Sequence, residues 1–155
     1  MSSRNAIRFY ADQDESQELF RIKARSILDF GGSRYDVLEG EQKIGLLWHK
    51  FGESLLRTTW HVSGPMEEEV ALARERSTAG AVARRLVDFV PYVGGYIPIP
   101  YNFEILLDGD VVGGMDRKFK VRDQYVLDLS GDREKKLDRR LAIALAVGLD
   151  TLQNR

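Results

Sequence analysis

The 155-residue sequence predicts a β-rich α+β domain. Its expected parts are an antiparallel meander curling into a sandwich or barrel, an additional helix near the middle and a hydrophobic C-terminal helix. Three observations predict this. Short apolar runs alternate with tight turn signals over residues 7–62 and again over 96–129. Between them the texture changes at Gly64-Pro65, and residues 66–90 are rich in helix formers. Finally, Leu141 to Leu149 is an unbroken run of nine small or apolar residues, with Arg139 and Arg140 before it and Asp150 after it.

In the first β unit, Ala11 to Glu18 is polar and acidic and reads as a turn between short strands. Leu19 to Lys23 alternates loosely until Gly31-Gly32 breaks the run. Tyr35 to Leu38 alternates at period two, and Glu39-Gly40-Glu41 supplies a turn. Ile44 to Trp48 and Leu55 to Val62 follow as further strands, the latter rich in Thr and Trp.

The middle segment is acidic at its start (Glu67, Glu68, Glu69) and basic later (Arg84, Arg85), the order a helix dipole prefers. Val82, Leu86, Phe89 and Val93 fall on one helical face, Gly80 offers a break and Pro91 closes the segment. Tyr92 to Tyr101 is apolar and aromatic but full of Gly and Pro, which suits an irregular edge strand rather than a central one.

The second β unit has a strand over Phe103–Leu107, a turn at Asp108-Gly109-Asp110, a returning strand from Val111 and a last strand over Gln124–Leu129. It also echoes the first. Tyr35-Asp36-Val37-Leu38 matches Phe103-Glu104-Ile105-Leu106 at an offset of 68, and Gly45 matches Gly113 without a gap. Asp132 then offers an N-cap for a core helix over about 132–153. Leu137, Leu141, Leu145, Leu149 and Leu152 form one stripe, and the opposite side is apolar too, so burial all round is expected. Crossing a bilayer takes about 20 apolar residues, so this run reads as a core helix of a single domain over 1–155.

The totals bound the function. Net charge is −1, from 23 basic and 24 acidic side chains, so no overall field argues for nucleic acid. The absence of cysteine excludes disulfides and thiolate metal sites. Met1-Ser-Ser-Arg-Asn leads into no apolar h-region, so no secretory signal is expected and the cytoplasm is the default compartment. No Gly-x-Ser-x-Gly elbow, phosphate-binding glycine loop or His-Glu-x-x-His occurs. His49 and His61 fall on different predicted strands, and Ser54 and Ser63 have no neighbouring base. A non-enzymatic domain without cofactor is the expectation.

The segment Phe119 to Leu129, followed after a polar break by Leu137 to Asp150, resembles the C-terminal signature of the tubby-like superfamily. It is most similar to the LURP-one-related proteins and the phospholipid scramblases. Tyr35 to Val62 is similar to their repeated β unit. The resemblance implies a closed antiparallel β-barrel threaded by the C-terminal helix, with Ala142, Ala144, Ala146 and Gly148 allowing close approach of strands. It departs over residues 64–101, and the cysteine-rich palmitoylated segment of scramblases is missing. A calcium segment of the scramblase type would fall on Asp123, Asp128, Asp132 and Asp138. That spacing does not suit an EF-hand, Arg133, Lys135 and Lys136 compete for the carboxylates, and no metal is expected.

Two patches carry the functional expectation. Arg117, Lys118, Lys120 and Arg122 put four cations in six residues, suited to the phosphates of an anionic headgroup. The resemblance points the same way, since tubby-type domains bind phosphoinositides through basic strand residues. Solvated strand charge, balanced by Asp116 and Asp123, is the competing account. Phe89, Tyr92, Tyr96 and Ile97 lie beside Arg84 and Arg85, a pairing that interfacial membrane contact needs. The same residues would serve to cap the barrel or to form an oligomer interface. Peripheral binding of anionic phospholipid is therefore the leading expectation. A protein-interaction or homodimerisation module using residues 67–101 is the alternative.

Overall fold

The computed structural model describes residues 6–25, 33–49, 59–76, 102–118 and 124–152. Nine strands form one sheet in chain order: β1 Ala6–Tyr10, β2 Glu18–Ala24, β3 Ser33–Glu39, β4 Gln42–His49, β5 Thr59–Ser63, β6 Glu69–Glu75, β7 Asn102–Leu107, β8 Asp110–Lys118 and β9 Gln124–Asp128. Every neighbouring pair is antiparallel. The helix α1 spans Arg139–Thr151.

The inward faces follow from alternation. Phe20 and Ile22 on β2, Val37 on β3, Leu47 on β4 and Trp60 and Val62 on β5 are buried, as are Phe103 and Ile105 on β7 and Met115 on β8. All join one core with Leu137, Leu141, Ala142, Ala144, Leu145 and Leu149. The helix packs against β2, β4 and β9. Seven strand spacings separate β2 from β9, about 34 Å in a flat sheet. A helix about 10–12 Å across reaches both only if the sheet curls around it.

The repeat noted in the sequence has a structural counterpart. Val37 faces Gly45 and the register slips between Val37 and Leu38; Ile105 faces Gly113 and the register slips between Ile105 and Leu106. Glycine is required at Gly45 by close approach. A Cβ there would sit 2.6 Å from both the Ser63 carbonyl oxygen and Leu141 Cδ2. The hairpin β3–β4 and the helix meet at that point.

Four expectations need correction. The barrel is not closed: among the described residues, β1 pairs only with β2 and β9 only with β8. The nine described strands leave β1 and β9 running the same way, so these two could not pair antiparallel with each other. The helix is consequently not buried all round; Ile143 is 43% exposed, whereas Leu145 on the opposite side is 0% exposed.

The middle helix expected over 66–90 does not hold for its first part, because Glu69–Glu75 is a strand. Ala71, Ala73 and Glu75 face inward between β5 and β7, and that two-residue periodicity in a paired ladder overrides the helix propensity of Glu, Ala, Leu and Arg. Residues 77–101 lie outside the described residues. The helix begins later than Asp132: its N-cap is Asp138, whose carboxylate accepts from Arg140 N at 2.8 Å. Asp132 serves the loop before it.

Candidate functional site

A meander sorts its connections by end. The β1–β2, β3–β4, β5–β6 and β7–β8 turns lie at one end with the β9–α1 loop; the β2–β3, β4–β5, β6–β7 and β8–β9 connections depart from the other. The sequence distributes charge accordingly. The four turns hold Asp12, Asp14, Glu15, Glu41, Glu67, Glu68 and Asp108 and no basic residue. Of the four connections that depart from the opposite end, the described residues include Arg25 and Arg76; the remainder of each lies outside the described residues. The four turns are thus acidic, while the β9–α1 loop beside them balances Arg133, Lys135 and Lys136 against Asp132, Glu134 and Asp138.

The residues singled out from sequence relate to the end opposite the turns as follows. Arg117 and Lys118 close β8, in register with Tyr125 and Gln124. Lys120 and Arg122 belong to the connection between Lys118 and Gln124, and they lie outside the described residues. Arg84, Arg85, Phe89, Tyr92, Tyr96 and Ile97 also lie outside them, in the connection between Glu75 and Asn102. The strand ends flanking both connections are at the same end of the sheet. Beside them, Arg74 pairs with Glu104 through Nε at 2.7 Å, and Arg76 reaches Asp116 at 3.3 Å.

An aromatic and histidine belt at this end escaped sequence reasoning. The antiparallel register of β4 and β5 sets Trp48 opposite His61 and His49 opposite Trp60, with ring centroids 5.1 Å apart in each pair. Tyr35 stacks on Trp60 at 6.0 Å on the inner face. On the outer face the Arg34 guanidinium carbon lies 4.9 Å from the Trp48 ring centre, a cation–π contact. His61 Nδ1 lies 2.7 Å from Glu69 Oε2. Burial, with the neighbouring His61 charge second, holds His49 below the ordinary imidazole range. The repeated Trp-His dipeptide at 48–49 and 60–61 was the available signal, since two such pairs on antiparallel strands meet crosswise.

Outside the sheet, one ionic group stitches strands together. Arg25 Nε lies 3.0 Å from both oxygens of Asp36, and Arg25 reaches Glu67 at 2.6 Å. Lys43 meets the same Glu67 oxygen at 2.8 Å. Hydrogen bonds from Lys43 and then Arg25 bring the Glu67 carboxyl down to about 2. Its charges are mutually satisfied, so its role is to hold β2, β3, β4 and the β5–β6 turn in place.

The carboxylates considered for calcium are committed elsewhere. Asp128 accepts from Ser130 N at 2.8 Å and Asp138 caps α1. Asp132 is 4% exposed and accepts from Lys136 N, Leu137 N and Arg139 Nη1 at 2.9, 3.2 and 3.0 Å. Burial would raise its carboxyl, but these donors bring it below the ordinary range. Asp123 lies outside the described residues. Among the described residues no three His, Cys, Asp or Glu side chains converge as a metal site. Among them, too, no helix is long and apolar enough to cross a membrane.

With this geometry in hand, comparison with known proteins is specific at one point. A family model described as LURP-one-related matches residues 1–150. No curated protein and no solved structure gives a significant match.

Proposed function

The chain belongs to the LURP-one-related family, part of the tubby-like superfamily, and from that premise we propose a non-enzymatic domain that binds anionic phospholipid peripherally. The observation that carries the proposal is the sequence run Arg117, Lys118, Lys120 and Arg122, four cations in six residues beginning at the end of β8. On this reading the end of the sheet opposite the four turns faces the lipid, and Arg117, Lys118, Lys120, Arg122, Arg84 and Arg85 meet the headgroups. Phe89, Tyr92, Tyr96 and Ile97 sit at the interface. Each cation near an anionic surface contributes about 1 kcal/mol. On this reading the protein acts at the cytoplasmic surface of a membrane, needs no cofactor and has no nucleic-acid partner.

Vesicle co-sedimentation tests it. Vesicles containing about a third phosphatidylserine should retain the protein, and phosphatidylcholine alone should not. Added salt should release it. The double substitution Lys120→Glu, Arg122→Glu should weaken retention about tenfold or more. Equal retention by neutral and anionic vesicles, or none by either, would end the proposal. If the protein is instead a dimer in light scattering, and Tyr96→Ser with Ile97→Ser makes it a monomer, the interaction-module alternative takes its place.

A further inference from the structure

At the turn end of the sheet, the β7–β8 hairpin and the loop between β9 and α1 border a cleft of about 300 Å³. That volume is at the lower end of small-molecule sites. One side is the two-residue turn Asp108-Gly109, with φ of 51° and 90° as a tight hairpin turn requires. The other is the loop from Gly131 to Lys136. Gly131 N donates to Val112 O at 2.9 Å, and a Cβ on Gly131 would stand 2.6 Å from that oxygen, so loop and strand are held close. Asp132 fixes the rest of the loop through Lys136 N, Leu137 N and Arg139. The lining also includes two apolar side chains, the buried Leu107 and Val112, which packs against the core.

Six charged side chains line the cleft, four acidic and two basic. Asp132 is committed to the loop, and Glu134 pairs with Lys136 at 3.2 Å. Lys136 also feels the charge of Asp108. There remain Asp108 and Asp110 on the hairpin and Arg133 on the loop, three exposed side chains that take no hydrogen bond or ion pair among the described residues. Solvation would account for either sign alone. Here both signs border one partly apolar cleft without neutralising each other directly, and a ligand that carries both signs completes the arrangement.

We propose that this cleft binds the zwitterion of an aliphatic α-amino acid, with its ammonium on Asp108 and Asp110 and its carboxylate on Arg133. Guanidinium and carboxylate pair through two parallel hydrogen bonds, which fixes the direction of the ligand. The aliphatic side chain then leaves water against Leu107 and Val112. The cleft is at the opposite end of the sheet from the surface proposed to face lipid, so amino-acid binding and vesicle binding stand or fall separately.

Titration of the full chain with L-leucine, followed through its amide NMR shifts, tests the proposal. Saturable shifts are expected at residues 108–112 and 131–136. Leucinamide, which lacks the carboxylate, and N-acetyl-leucine, which lacks the ammonium, should each bind about tenfold or more weakly. Glycine should also bind about tenfold more weakly, because it has no side chain to set against Leu107 and Val112. Arg133→Gln should bring leucine down to the affinity of leucinamide and leave leucinamide unchanged. Asp108→Asn with Asp110→Asn should bring leucine down to the affinity of N-acetyl-leucine, and Asn tolerates the positive φ at 108. All three side chains are exposed, so the thermal melts should stay close to that of the parent. No saturation below about 10 mM leucine, or equal binding of either blocked analogue, would overturn the proposal. So would shifts confined to residues away from the cleft.

Discussion

Asp132→Ala is the substitution with the sharpest structural consequence. The carboxylate is buried in the loop that delivers the chain from β9 to α1, and it accepts two backbone N–H groups and one guanidinium N–H. Arg139 is 40% exposed along its side chain and regains water when its partner goes. Leu137 N does not, because Leu137 is 1% exposed at the base of the core. Each stranded backbone donor costs about 1–3 kcal/mol, and the loss of the charged acceptor adds to the first turn's disorder. The expected cost is about 3 kcal/mol, which for a domain of this size lowers Tm by about 6–12 °C.

Asp132→Asn retains one acceptor and should cost about half as much. The pH dependence separates the two effects. A carboxyl lowered in the folded state contributes stability that is fully present above its unfolded pKa of about 3.9 and is lost as pH falls through the folded value. The parent should therefore lose more stability than Asp132→Asn between about pH 5 and the acid limit. Denaturant melts across that range measure it. An Asp132→Ala protein within about 0.5 kcal/mol of the parent would refute the account of the loop as built on this carboxylate.

Gly45→Ala should destabilise by about 1–3 kcal/mol, because its methyl meets the Ser63 carbonyl and Leu141 together. Gly40→Ala, in open space but at φ +57°, should cost about 1 kcal/mol, and thermal melts of the two give the comparison. His49 is held below the ordinary imidazole range, so stability present above about pH 6.5 should decline as pH falls from there toward the folded value. Denaturant midpoints at about pH 7.5 and 5.5 should differ in the parent and converge in His49→Phe. Arg140 bridges Glu39 at 2.7 Å across 101 residues, but both ends are substantially exposed. A double-mutant cycle with Arg140→Ala and Glu39→Ala should give coupling of about 0.5 kcal/mol, and a value above 2 would show the pair to be more protected than its exposure implies.

Much of this was legible in the sequence where the signal is local. The hairpins at Glu39-Gly40-Glu41 and Asp108-Gly109-Asp110 follow from turn chemistry, and their strands from alternation. The apolar run Leu141–Leu149 identified the core helix because such a surface has to leave water. The acidic turn residues were visible too, but not their gathering at one end, which follows only once strand order is known.

Tertiary structure alone decided the rest, for reasons that depend on partners distant in the chain. Glu69–Glu75 is composed of helix formers, yet two neighbouring strands offered its backbone a ladder and its alanines a core. Asp132 has the right chemistry for an N-cap, but burial beside Leu137 made it the anchor of the loop instead. Closure of the sheet was beyond any local pattern, because it depends on which strands meet at the two edges. Composition dictates which surfaces must be covered; the count and direction of the strands dictate where the cover stops.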